Sequence, residues 1–139
     1  MGHPNPLRWD CRTDGCFNSK RRPKIDQLAR FLPGSCQFGD IDACAEVNGR
    51  ELRIEWKSAP GPLPKGQEIA FRRLSASSIV TVLCVAGDAE TMNVSHVGIW
   101  HLGRWTPWGQ CDFAGLGRRI ERWGAWAKRQ PAVVLPHVE

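Results

Sequence analysis

The segment 41-IDACAEVNGRELRIEWK-57 alternates apolar and polar residues on both sides of Asn48-Gly49. Alternation with a period of two is typical of half-buried β-strands, and an Asn-Gly pair between two such runs is the strongest short-range signal of a hairpin. A two-residue turn at these positions pairs Val47 with Arg50. We therefore predict two antiparallel strands whose register is fixed by the turn.

The predicted register gives the hairpin one apolar face and one charged face. The apolar face, which should contact the core, carries Ile41, Ala43, Ala45, Val47, Leu52, Ile54 and Trp56. The charged face carries Asp40, Asp42, Cys44, Glu46, Glu51, Arg53, Glu55 and Lys57.

On the charged face, the register places Asp42 opposite Glu55 and Asp40 opposite Lys57. Two opposed carboxylates repel each other unless a positive charge lies between them, and a divalent cation such as Mg²⁺ is a natural counter-charge. The alternative is an ordinary solvated face, on which Asp40 and Lys57 form a surface ion pair of little energetic value.

The rest of the chain contains further helix and strand signals. The segment 23–32 places Ile25, Leu28, Ala29 and Leu32 on one face of a helix that ends before Pro33-Gly34. Periodicity and flanking Gly or Pro also predict a short helix over 65–76, a buried strand over 78–87, a weaker strand over 95–102 and a helix over 112–129.

These elements predict an α/β fold for 1–139 as one domain. A mixed central sheet would contain the hairpin at about 40–57 and would be flanked by helices. Within the domain we distinguish an irregular segment (1–22), a core that carries the motifs (23–87) and a C-terminal extension with a basic helix (88–139).

Composition limits the class of protein. At 139 residues and 42% hydrophobic, the chain suits one compact core. Its net charge of +5 favours a polyanionic partner. No run of about 18 apolar residues occurs and the first residues lack the apolar region of a signal peptide, so we predict a cytoplasmic protein with no membrane segment. The 6 cysteines are then expected to be reduced.

The order Asp42, hairpin, Glu55-Trp56-Lys57, Gly-bearing loop, Gln67 and buried strand resembles the PD-(D/E)XK nuclease superfamily. Within it, the stretch from 23 to about 87 is most similar to stand-alone VRR-Nuc proteins and Holliday junction resolvases. The resemblance implies a restriction-endonuclease-like fold, Mg²⁺- or Mn²⁺-dependent hydrolysis of DNA phosphodiester bonds, branched or junction DNA as a substrate, and a homodimer.

The resemblance also implies a role for each matching residue. Asp42, Glu55 and the main-chain carbonyl of Trp56 would bind the metal ion. Lys57 would contact the attacking water or the scissile phosphate, and Gln67 would orient Lys57 or that water.

Three positions near the motif leave alternatives open. Asp26 would supply a further upstream carboxylate. Gly39-Asp40 stands where the family has Pro-Asp, so Asp40 competes with Asp42 as a ligand. The Gly61 to Gly66 spacing is that of a phosphate-binding P-loop, but Gln67-Glu68 occupies the positions of the required Lys and Ser/Thr, which excludes nucleoside triphosphate binding.

Basic and aromatic residues outside the motif are candidates for DNA contact. Cations that could follow phosphates are Lys20, Arg21, Arg22, Lys65, Arg118, Arg119 and Arg122. Trp100, Trp105 and Trp108 could stack on bases, although a core or dimer contact is the more ordinary use of such residues. His96 and His101 lack metal-ligand spacing, and we interpret both as structural.

Two further sets of residues have more than one interpretation. The apolar stripe Phe113, Leu116, Ile120, Trp123 and Ala127 would form a dimer contact or pack against the sheet. Cys11, Cys16, Cys36 and Cys44 could bind a structural zinc ion, but their spacing is poor for such a site. The alternatives to a nuclease are therefore a catalytically silent DNA-binding or assembly protein with the same fold, and a zinc-stabilised regulatory module.

Overall fold

The computed structural model of the chain describes residues 23–133. The chain divides between Asp40 and Ile41 into two compact units. In the first unit, Ile25–Phe31 forms a 3-10 helix in which no residue is buried, and Phe31 is 72% exposed. The predicted helix is therefore present, but as a 3-10 helix whose apolar residues are not buried. A short segment without a packed apolar face gains too little to hold an α-helix, and a 3-10 turn is the usual form of such pieces.

The second unit is an α/β fold with a five-stranded mixed sheet in the order β1-β2-β3-β4-β5. Strands β2 and β3 are parallel, and the other neighbouring strands are antiparallel. The elements are β1 (Ala43–Val47), β2 (Arg50–Lys57), α1 (Lys65–Ala76), β3 (Val80–Asp88), β4 (Asn93–His101), β5 (Arg104–Gln110) and α2 (Phe113–Arg129). The prediction of a mixed sheet that contains the hairpin is confirmed.

The register of the hairpin is the predicted one, from Val47 opposite Arg50 to Ala43 opposite Ile54. Asn48 and Gly49 both have positive φ, at 56° and 83°, as a two-residue turn that follows the strand twist requires. Strand β1 begins at Ala43, so Asp42 and Asp40 precede it and the predicted ladder pairs that involve them are not formed.

Each face of the sheet is covered by one helix. On one face, α2 packs over Leu52, Leu83, Val85 and Val97, which contact the buried Leu116 and the half-buried Ile120 and Trp123. On the other face, α1 places Phe71 and Leu74 against Val80, Val82, Cys84 and Trp100. The apolar stripe of α2 thus packs against the sheet, apart from the exposed Phe113, which is one of the two interpretations given for it.

Strand β5 was not predicted from the sequence. Its segment RWTPWGQ contains Pro107, which would remove a hydrogen bond from a central strand. Because β5 lies at the edge of the sheet, the missing N–H is tolerated there.

The tryptophans of β4 and β5 form one cluster. Trp100 is buried in the core, and its ring centroid lies 5.3 Å from that of Trp105. The centroids of Trp105 and Trp108 are 5.8 Å apart. A side chain at Gly98 would overlap the Trp105 ring, so glycine is required at this position. The core interpretation is therefore correct for Trp100.

His101 has the predicted structural role. Its Nδ1 lies 3.0 Å from Thr81 Oγ1, and its ring meets the Trp126 ring edge-on at 5.0 Å between centroids. Burial lowers the pKa of His101, so the imidazole is neutral at physiological pH. In residues 23–133, no helix has the length and apolar character needed to cross a membrane.

The hairpin turn is held by the last turn of α2 and the segment that follows it. Asn48 Nδ2 donates hydrogen bonds to the carbonyl oxygens of Ala127 and Gln130, at 3.2 and 2.8 Å. Arg50 donates to the carbonyl oxygen of Pro131 at 2.7 Å. These bonds fix one end of the hairpin to an element that is distant in sequence.

We expect Gly49→Ala to destabilise the fold. A left-handed backbone costs an L-residue about 1–2 kcal/mol, and the new Cβ would lie 2.6 Å from Val133 Cβ. The free energy of unfolding, measured by urea denaturation, should fall by at least this amount. Gly124→Ala is the control, because a Cβ there meets nothing within 4 Å inside a helix, and it should raise stability by about 0.5–1 kcal/mol. An unchanged stability of Gly49→Ala would contradict the described turn.

Candidate active site

The candidate site lies where β2 ends and α1 begins. Glu55 and Lys57 are two residues apart on β2 and therefore point to the same face of the sheet, the face that α1 covers. The loop 58–64 contains three prolines and leads directly into α1 at Lys65. Trp108 Nε1 donates a hydrogen bond of 2.8 Å to the carbonyl oxygen of Gly61 and so anchors this loop.

Glu55, Lys57 and Gln67 form a closed ring of polar contacts. Lys57 Nζ donates to Gln67 Oε1 at 2.8 Å, and Gln67 Nε2 donates to Glu55 Oε1 at 2.9 Å. Lys57 Nζ also lies 3.3 Å from Glu55 Oε1. One orientation of the Gln67 amide satisfies both partners, because the ammonium only donates and the carboxylate only accepts. The structure thus brings together three of the predicted catalytic residues.

The ring is partly withdrawn from water. The side chains of Lys57 and Glu55 are 26% and 14% exposed. An ion pair with this burial is screened less than a surface pair. The amide of Gln67 further holds both charged groups in one geometry, which an ordinary surface ion pair does not require.

Asp42 contacts the main chain of Trp56, the residue that follows Glu55. Its Oδ2 accepts a hydrogen bond of 2.7 Å from the Trp56 N–H. The indole of Trp56 belongs to the opposite face, where its Nε1 donates to the Gly87 carbonyl oxygen at 3.1 Å. Asp42 and Glu55 therefore flank one peptide unit, although they are not paired in the strand ladder.

The donors around this peptide fit a hard divalent cation. Asp42 is exposed and has lone pairs left after its bond to Trp56, and Glu55 accepts from Gln67 and Lys57 at one oxygen only. Mg²⁺ is commonly held by one or two carboxylates, with water and phosphate oxygens completing the octahedron. No group of three or more His, Cys, Asp and Glu suited to a metal ion occurs among residues 23–133, and the predicted ligands are two carboxylates and the Trp56 carbonyl.

The buried thiol of Cys84 forms the floor of the site. Cys84 is the β3 partner of Glu55 in the strand register and points to the same face. Burial raises the pKa of Cys84 to about 12, and the negative charge of Glu55 adds to this effect. The thiol is therefore protonated at neutral pH, the form in which it is a weak nucleophile.

Several other predicted site residues lie in the first unit, in strand β1 or outside the described residues. Asp26 lies in the 3-10 helix and Asp40 is the last residue of the first unit, so their roles as ligands stay predictions. Cys36 and Cys44 are free, exposed thiols. The remaining predicted zinc ligands and the first basic run lie outside the described residues, namely Cys11, Cys16, Lys20, Arg21 and Arg22.

The predicted DNA-binding cations that the structure describes are found in two places. Lys65 is exposed at the first position of α1. Arg118, Arg119 and Arg122 line a cleft of about 600 Å³, together with His96 and Gln110 among others. His96 was interpreted as structural. Its place beside the arginines depends on how β4 and β5 are ordered in the sheet, for which the sequence carries no local signal.

The arrangement places a group that suits an oxygen-rich anion, the Lys57 ammonium, near carboxylates that suit a divalent cation. The Lys57 ammonium and the carboxylates of Glu55 and Asp42 lie near the end of β2. The amide of Gln67 fixes the ammonium against Glu55. Comparison with known proteins adds no relative, because no protein-family model, no curated protein and no solved structure matches the chain.

Proposed function

We propose that this protein is a metal-dependent endonuclease that hydrolyses phosphodiester bonds of DNA, including branched DNA. The observation that carries the proposal is the ring of Glu55, Gln67 and Lys57 beside the carboxylate of Asp42. A solvated hairpin face accounts for the charges but not for a glutamine from another element that binds both members of the ion pair.

The chain supplies a positioned cation for the reacting phosphate. An ammonium has three N–H donors, of which Lys57 directs one to Gln67 and one to Glu55. The remaining donor is free for a phosphoryl oxygen or for the attacking water. Because its partners hold the ammonium in place, little reorganisation is needed when negative charge develops on the phosphoryl oxygens.

Asp42, Glu55 and the Trp56 carbonyl are the residues that would hold Mg²⁺ or Mn²⁺. When bound, such an ion lowers the pKa of a coordinated water and stabilises charge on the phosphate. Gln67 contributes by fixing the Glu55 oxygen that it binds, which limits the directions in which this carboxylate can donate electron pairs.

A catalytically silent DNA-binding protein is the second candidate. One observation favours it: the bond from Asp42 to the Trp56 N–H also closes the open end of the hairpin, which is a structural use of the same carboxylate. The homodimer and the cytoplasmic location stay predictions under either function. The zinc-stabilised module stays a prediction as well.

Cleavage of a panel of linear, flapped, bubble and four-way DNA substrates tests the proposal. We expect cleavage with Mg²⁺ or Mn²⁺ and none with EDTA, because the carboxylates alone do not activate water. Binding of the panel without cleavage in either metal would favour the silent protein. If the protein neither binds nor cleaves any substrate, both functions are wrong.

A further inference from the structure

One row of paired residues crosses four strands at the end of the sheet where the candidate active site lies. Lys57 pairs with Ala86, Ala86 with His96, and His96 with Gln110. Residues paired in this way point to the same face, and neighbouring strands are about 4.8 Å apart. His96 therefore lies about 10 Å from Lys57, and Gln110 about 14 Å, measured between Cα positions.

His96 and Gln110 form one wall of the cleft of about 600 Å³ whose other wall is the first half of α2. Arg118, Arg119 and Arg122 line that wall. The two sites therefore share one end of the sheet, but the ring of Glu55, Lys57 and Gln67 lies on the side that α1 covers and the arginines lie on the side of α2.

The arginines of this cleft are not neutralised by the protein. Within residues 23–133, Arg118, Arg119 and Arg122 form no salt bridge and no hydrogen bond. One carboxylate, Asp112, also lines the cleft, and its Oδ1 caps the helix by accepting from the Gly115 N–H at 2.8 Å. The cleft therefore has a net positive charge.

The spacing of the arginines on α2 is unfavourable unless an anion is present. Arg118 and Arg122 are four residues apart, and Arg119 and Arg122 are three apart, so like charges are neighbours on the helix surface. A phosphate between them removes this repulsion. Its oxygens also match the planar fork of each guanidinium, which can bind two of them at once.

We infer that this arginine cleft, formed by Arg118, Arg119 and Arg122 with His96, is a second phosphate-binding site that holds the DNA backbone away from the cleaved bond. The inference rests on the proposed nuclease function, since the position of the cleaved bond is assigned to Lys57.

Binding in EDTA tests the cleft without any need for catalysis. The variant is Arg119→Ala/Arg122→Ala, and the control is Lys128→Ala/Arg129→Ala, which removes the same charge from the last turn of the same helix. A fluorescent duplex of about 20 base pairs is titrated at several salt concentrations. The slope of log affinity against log salt should fall by about 0.9 per lost phosphate contact, so by roughly 1–2 for the cleft variant and by less than about 0.5 for the control.

Equal slopes in the two variants would overturn the inference, because net charge alone would then explain binding. Equal competition by polyglutamate and by DNA, at matched charge, would also overturn it in favour of an acidic protein partner. A third variant, Arg119→Lys/Arg122→Lys, keeps the charge and should retain the slope while losing affinity, which guards against a general loss of structure.

The length of the substrate separates this inference from the proposed function. In wild type, KM should fall as the DNA is lengthened until it reaches the cleft as well as the cleaved bond, and Arg119→Ala/Arg122→Ala should remove that dependence. Cleavage with no dependence on length in wild type contradicts the cleft and leaves the nuclease intact. A salt slope that falls in the cleft variant, in a protein that cleaves nothing, supports the cleft as a DNA contact and contradicts the nuclease.

Discussion

Lys57→Arg is expected to reduce DNA cleavage by about 100- to 1,000-fold, the typical effect of removing one donor that stabilises charge in a transition state. The substitution keeps the positive charge but replaces a compact ammonium with a broad planar group. The ammonium fits between Gln67 Oε1 at 2.8 Å and Glu55 Oε1 at 3.3 Å, and a guanidinium cannot occupy the same point. Single-turnover cleavage with Mg²⁺ measures the effect.

Lys128→Arg is the matched control, since it makes the same chemical change at an exposed position at the end of α2. It should cleave at the wild-type rate. Wild-type cleavage by Lys57→Arg would show that only charge matters at this position. Wild-type cleavage by Lys57→Ala would exclude Lys57 from the mechanism and return the residue to an ordinary ion pair, whose loss changes stability by less than about 1 kcal/mol.

Asp42→Asn is expected to abolish both cleavage and the stabilisation of the wild-type fold by metal. A ligand at 100 times its Kd adds about 2.7 kcal/mol to the free energy of unfolding, so Mg²⁺ or Mn²⁺ should raise the Tm of wild type. Asparagine lacks the negative charge that a hard cation needs, but its Oδ1 can still accept from the Trp56 N–H. The metal-free variant should therefore remain folded with nearly wild-type stability.

Two further variants distinguish the roles of the Asp42 carboxylate. Asp42→Ala removes the acceptor as well and should cost about 0.5–1.5 kcal/mol without metal. Glu121→Gln, which removes an exposed carboxylate from α2, should keep the full metal effect on Tm. If millimolar Mg²⁺ or Mn²⁺ leaves the Tm of wild type unchanged, the metal site is wrong.

The hairpin could be predicted in detail because its determinants are local. Asn48-Gly49 selects the turn, and the alternation on either side then fixes every pair from Val47–Arg50 to Ala43–Ile54. The contact among Glu55, Lys57 and Gln67 is largely local too, since the first two share a strand face and a short proline-rich loop limits where α1 begins. Their chemical roles stay predictions.

The rest of the fold and of the site depends on contacts between segments that are distant in the sequence. Pro107 argues against a strand in the segment that forms β5. A proline is tolerated in an edge strand, but that position is known only when the strand order is known. The segment Ile25–Phe31 has a helical pattern, but its apolar residues are not buried. The arginine cleft forms where His96 and α2 meet at one end of the sheet. The register of β3 and β4 brings His96 to that end.

The bonds that join the hairpin turn to the end of α2 determine when the site can be completed during synthesis of the chain. Asn48 and Arg50 find their partners 79 to 82 residues later in the sequence. At 5–20 residues per second, the ribosome needs about 4–16 s to add a segment of about 80 residues. For that time the hairpin that carries Glu55 and follows Asp42 lacks its final support. Because the parallel partner of β2 also follows it in the sequence, we expect the nascent chain to remain inactive until residues near 131 have emerged from the ribosome.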